Sequence, residues 1–205
     1  MSVLFVVALI VVGLGVVAAG RRTTAVGLVA VQSVALGVYA VVHGVGESSA
    51  LAVAGVLLAV KGIVLPALLW WVVRRTQEPR LIAGERGPLT RVTIAAAITL
   101  AIVELIPALG LDSRAAEQGA AALVVLGIVI AIVRRSAVFH ALGFLVAENG
   151  VYIAALAAPG GLPAVVDVGL LFDLVIVVAV AAAFTTRIHD EFGTGDTGLL
   201  EDLHD

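Results

Sequence analysis

Cysteine is absent from all 205 residues. That excludes disulfides, thiolate-ligated iron–sulfur clusters and cysteine-based metal sites. Charge is scarce too: 13% of residues are Asp, Glu, Lys or Arg, against about 25% in soluble domains. There is no P-loop, no G-x-S-x-G turn, no H-E-x-x-H helix and no Cys/His cluster, so the usual signatures of nucleotide, acyl and metal-assisted chemistry are missing. His43, His140, His189 and His204 are not spaced as paired haem ligands. The chain is therefore expected to hold no cofactor and to carry out no bond chemistry itself. No low-complexity linker marks off a soluble domain. No basic stretch precedes the first apolar run, so residues 1–19 are expected to be a span rather than a cleaved signal.

What is present is apolar. Hydrophobic residues make up 61% of the chain and mean hydropathy is +1.17, which fits a polytopic membrane protein. Seven runs approach the roughly 20 apolar residues that a span needs: 3–19, 24–43, 49–73, 90–109, 115–133, 137–156 and 163–185. Runs this long lack the alternation of barrel strands, and backbone groups in lipid must bond within their own segment. The expected fold is all-α, with a seven-helix transmembrane domain over 1–187 and an acidic cytoplasmic tail over 188–205. Glycine at 22 positions allows such helices to approach closely.

Arginine orients the spans. Arg21, Arg22, Arg74, Arg75, Arg80, Arg86, Arg91, Arg134, Arg135 and Arg187 all fall on one side of alternate crossings. Only Arg114 lies opposite, and Lys61 lies within a span. The positive side should be cytoplasmic, which puts the N-terminus outside and the C-terminus inside a plasma membrane. Trp70 and Trp71 near the inner end of the third run fit an aromatic belt.

A shift of 113 residues superposes Arg21-Arg22 on Arg134-Arg135, Gly37-Val38-Tyr39 on Gly150-Val151-Tyr152, and Arg74 on Arg187. Spans one to three then correspond to spans five to seven, with the fourth as connector, in a 3+1+3 parallel repeat of a kind found in transporters.

Four ionisable residues interrupt the apolar runs: Lys61, Glu104, Glu148 and Asp173. A charge at the centre of a membrane helix costs roughly 2.5–3.5 kcal/mol on insertion scales, so such groups face a bundle interior, pair, or line an ion route. Lys61, Glu148 and Asp173 lie near the centres of their runs, and Glu104 lies about 7 Å outward at 1.5 Å per residue. Burial penalises the charged forms and an adjacent opposite charge favours them, so a pair that balances the two titrates as a unit. His140, one turn inside the sixth run, is a candidate proton relay between Glu148 and cytoplasmic water. The plainer alternatives are a fixed pair that sets helix register and an interfacial histidine. Gln32, Ser33 and Asn149 offer neutral hydrogen-bonding steps. Pro66 and Pro107 are expected to free the carbonyls of Gly62 and Val103 beside Lys61 and Glu104.

Two segments carry a family resemblance. The run GFLVAENGVYIAAL, from Gly143 to Leu156, resembles the sixth-helix signature of the hydrogenase-4 component E family. The stretch from Leu171, Phe172 and Asp173 to Arg187, Ile188 and His189, followed by Phe192, Asp196 and Leu199, is similar to that family's last helix and tail. His43, Gly44, Glu47, Lys61, Gly62 and Pro66 extend the resemblance over nearly the whole chain.

The resemblance implies a membrane subunit of group 4 nickel–iron hydrogenase or formate hydrogenlyase-type complexes, relatives of respiratory complex I. Iron–sulfur and Ni-Fe centres would then sit only in partner subunits, and the partners would be other membrane subunits and the lipid bilayer, not nucleic acid. The last three helices are similar to the K-type subunit of complex I and the C-type subunit of multisubunit cation/proton antiporters. That pattern has Gly, a Glu two residues on and an Asn six residues on. Gly143 and Asn149 match it, Leu145 stands at the Glu position, and Glu148 lies about one turn further along the same face. The function this implies is help in coupling electron transfer in partner subunits to proton or Na⁺ movement. The alternatives from the residues are an antiporter subunit without redox chemistry and a scaffold whose charges select partner helices. In the tail, Phe192, Leu199, Leu200 and Leu203 among acidic residues point to docking on a neighbouring subunit or on the arginine-rich loop between Arg74 and Arg91, the plainer alternative being a frayed terminus.

Overall fold

A computed structural model describes residues 1–44, 49–75, 87–108, 110–134, 136–158 and 178. The expected seventh span (Val178 apart), Asp173 and the tail lie outside the described residues. Six helices are described: α1 Val3–Ala18, α2 Arg22–Gly44, α3 Ser49–Arg75, α4 Pro88–Leu105, α5 Arg114–Val133 and α6 Ala137–Leu156. Among the described residues there is no strand. Arg22–His43, Pro88–Leu105, Arg114–Val133 and Val138–Leu156 are each long and apolar enough to cross a membrane, and Val3–Ala18 and Gly55–Trp71 are shorter apolar helical stretches. The protein is an all-helical membrane protein.

Local chemistry sets the helix ends. Ser2 caps α1 by accepting from the Phe5 N–H at 3.3 Å, and Ser113 caps α5 by accepting from the Ala116 N–H at 3.2 Å. Pro88 opens α4 at a position where a missing N–H costs nothing. The end of α4 corrects one expectation. Apolar composition continues to residue 109, but the helix stops at Leu105, and Ile106 turns extended at φ −76°, ψ 122°. The residue before a proline avoids the helical region, so Pro107 terminates α4 instead of interrupting it. The Val103 carbonyl is therefore not freed, because it accepts the Ile106 N–H at 3.3 Å.

Two antiparallel hairpins dominate the packing. In α2–α3, Gly37 lies against Ala59, Gly55 against Val41 and Gly62 against Ser33. A Cβ on Gly37 would stand 2.7 Å from the Ala59 nitrogen, so the two backbones touch only because that side chain is missing. In α5–α6, Gly127 and Gly143 face one another's backbone, and Gly150 abuts Ala120 and Val124. α1 joins the hairpins, running parallel to α5 with Val6 on Gly119 and Leu126 on Gly13. α5 is buried on a broad face, whereas α4 buries only the stripe Arg91, Ala95, Thr99 and Val103. One residue in every four is a narrow seam. Among the described helices, α4 thus buries the narrowest face.

Candidate functional site

The hairpins meet across α2, α3 and α6, and the residues at the junction are polar. Gln32 and Ser33 stand at the middle of α2, Lys61 at the middle of α3, and Glu148 and Asn149 just past the middle of α6. Lys61 is 2% exposed, and its Nζ forms an ion pair with Glu148 Oε1. The Tyr152 ring, one turn beyond Glu148, presents its face to the same ammonium at 5.1 Å, within the range of a cation–π attraction. Glycine makes the approach possible. A Cβ on Gly62 would come within 2.8 Å of Ser33 Cβ, so the residue after Lys61 must be small for α3 to reach this depth. Pro66, one turn further on, lies inside α3 and leaves the Gly62 carbonyl without its usual helical N–H.

Asn149 continues the polar layer. Its Nδ2 donates to Gln32 Oε1 at 3.0 Å and to Ser33 Oγ at 3.0 Å. The Ser33 hydroxyl lies 3.1 Å from Asn149 Oδ1 and donates to it. Gln32 Nε2 then donates to the Leu9 carbonyl of α1 at 2.8 Å. Gln32, Ser33 and Asn149 are all fully buried. Two polar groups therefore lie side by side at mid-bundle: the Lys61–Glu148 pair, and the Asn149–Ser33–Gln32 network that reaches the backbone of α1. Buried amides and hydroxyls are tolerated there because each finds a partner.

The other candidates stand apart from this layer. Glu104 is the penultimate residue of α4 and is exposed. It borders a cleft of about 270 Å³ beside Thr99 and Gln118. His140 is also exposed, one turn into α6, with Nδ1 3.0 Å from the Ser136 carbonyl. Eight residues of helix, about 12 Å at 1.5 Å per residue, separate it from Glu148. His43 lies in the last turn of α2, exposed and stacked on Tyr39 at 3.9 Å.

One buried carboxylate escaped the sequence analysis. Glu117, 3% exposed, accepts from the N–H groups of Gly110 at 2.8 Å and Leu111 at 3.1 Å. Arg114 Nη1 reaches its other oxygen at 2.9 Å. Arg114 also donates to the Ile106 carbonyl at 3.0 Å, so the two residues tie the end of α4 to the start of α5. The available signal was Ser113 followed by an Arg–Glu pair three apart, a helix start with a charge pair on one face. Two arginines counted only as topology signals are likewise buried. Arg134 covers the Phe139 ring at 3.6 Å, and Arg91 lies in the α4 seam.

The chain is similar to uncharacterized protein Rv0085 of Mycobacterium tuberculosis, with 29% identity over 191 residues that span 87% of this chain and 84% of that one. No protein-family model matches the chain. No solved structure matches it.

Proposed function

We propose that this chain is a cofactor-free integral membrane subunit of a complex I-like, hydrogenase-4-like redox complex, where it helps couple electron transfer in partner subunits to proton or Na⁺ movement. The observation that supports this most is the buried Lys61–Glu148 pair at mid-bundle, beside the Gln32–Ser33–Asn149 network. A buried pair of opposite charges responds to any third charge that approaches it, because its protonation balances burial against mutual attraction. Adjoining amides and a hydroxyl supply donors and acceptors without adding net charge. Asp173, in the expected seventh span, would extend the charged layer, with Glu104 and His140 as access groups towards the two surfaces.

The proposed topology has seven spans in the plasma membrane, an outside N-terminus and a cytoplasmic C-terminus. Its arginine asymmetry follows the positive-inside rule. The parallel repeat draws support from α1 and α5: Val6 meets Gly119 and Gly13 meets Leu126, and both pairs are 113 residues apart.

The test is to purify the tagged full chain in mild detergent and identify what accompanies it. Hydrogenase or quinone-reductase subunits are expected. Recovery of cation/proton antiporter subunits in their place would overturn redox coupling in favour of an antiporter.

A further inference from the structure

The face of the α2–α3 hairpin away from the polar layer carries an apolar groove of about 590 Å³. Thr23, Gly27 and Val31 form one wall, and Ile63, Pro66 and Trp70 form the other. Because the hairpin is antiparallel, Thr23 and Trp70 share one end. That end is where Arg21 precedes α2 and where Arg74 stacks on Trp70, its guanidinium carbon 3.7 Å from the ring centroid. Arg21 and Arg74 are both exposed. The other end closes at Val34 and Gly62, level with the polar layer. From Thr23 to Val34 is about 16 Å of helix at 1.5 Å per residue. That is half of a hydrocarbon core of about 30 Å, the depth of one leaflet.

We propose that this groove binds one acyl chain of an anionic phospholipid, with the headgroup phosphate held by Arg21 and Arg74. The groove's length matches an acyl chain in a single leaflet. The charge at its mouth selects the headgroup: arginine forks pair with phosphate oxygens, and basic pockets between membrane helices favour anionic lipid. Trp70 adds an amphipathic ring at the depth where headgroups begin. The site does not depend on redox coupling and stands or falls separately from it.

The full chain in detergent is titrated with phosphatidylglycerol or phosphatidylcholine, and bound lipid is counted by native mass spectrometry. The expected result is one retained phosphatidylglycerol in preference to phosphatidylcholine. Gly27→Leu fills the groove from one wall without disturbing the fold, since a Cβ there meets nothing within 4 Å. Ile63→Trp fills it from the other wall, at a residue that is 60% exposed. Both variants should lose the retained lipid while remaining monodisperse. Arg21→Gln and Arg74→Gln should each lower the phosphatidylglycerol preference about fivefold while the acyl chain still binds. Undiminished lipid in both groove-filling variants would overturn the site. Equal retention of the two lipids by the unmodified protein would overturn its anionic selectivity.

Discussion

Glu117 and Glu148 are both buried carboxylates beside a cation, but their surroundings differ. Glu117, at the mouth of α5, takes two backbone N–H groups as well as Arg114. Glu148, at the middle of α6, meets Lys61, and no backbone N–H among the described residues bonds to either of its oxygens. A carboxylate that accepts from several fixed donors is held in one geometry. One paired with a single ammonium can exchange that partner for water, an ion or another side chain. The first arrangement suits a structural lock, the second a group that changes state. Position agrees with this: the lock closes the α4–α5 turn, while the pair sits where three helices meet.

The largest effect should come from breaking the central pair. Lys61→Ala leaves Glu148 without its cation and should destabilise the protein by about 3–5 kcal/mol, measured as loss of thermal stability in detergent. Lys61→Arg should be milder because it keeps the charge. Lys61→Met combined with Glu148→Leu should recover most of the stability, since an apolar replacement of a whole buried pair is often neutral or better. The same double variant should abolish ion movement in the reconstituted complex. Full ion movement by the double variant would reduce the pair to a helix-register device, erasing its contrast with Glu117.

Much of the central site was legible in the sequence, and physics explains why. A lone Lys61 in an apolar run is costly, so a pairing of Lys61 with one of the carboxylates in the other runs was a reading the sequence offered. Which carboxylate pairs with Lys61 was not legible, because spacing places a residue on a helix face but not that face towards a given neighbour. Gly62 against Ser33 settles the rotation of α3, a contact between helices that no local pattern records. Glu117 stayed hidden for the opposite reason. Among Ser113, Arg114 and Gln118 it resembles a solvated helix start, and burial arises only when the preceding turn folds over it at Gly110, where φ is 78°. The early end of α4 was missed because hydropathy counts apolar residues and does not register where Pro107 forces the chain to turn.

The next effect belongs to the lock. Glu117→Ala removes the acceptor of two N–H groups and of Arg114, and hydrogen bonds to a charged group contribute about 1.5–3 kcal/mol. Thermal stability should fall while ion movement, measured on the folded fraction, stays normal. A selective loss of ion movement would show that the two carboxylates are not divided as their surroundings suggest.

Glu148→Gln sharpens the contrast from the other side. The amide keeps the volume and a hydrogen-bonding oxygen but removes the charge, so assembly should persist and ion coupling should fall. Glu117→Gln should do the reverse, weakening the turn without touching coupling. The measurement is ion movement per assembled complex, with assembly scored by co-purification.

The smallest effect is expected at Arg114. Its side chain is 47% exposed while its partner's is 4%, so solvent screens much of the attraction, and exposed pairs contribute about 0–1 kcal/mol. Glu117 would keep its two backbone donors when the guanidinium is gone, because these come from Gly110 and Leu111 and not from the side chain. Arg114→Gln should therefore cost much less than Glu117→Ala, and its effect should shrink further as salt is raised. A loss as large as that of Glu117→Ala would mean that the arginine, through its second bond to the Ile106 carbonyl, is the main tie between α4 and α5.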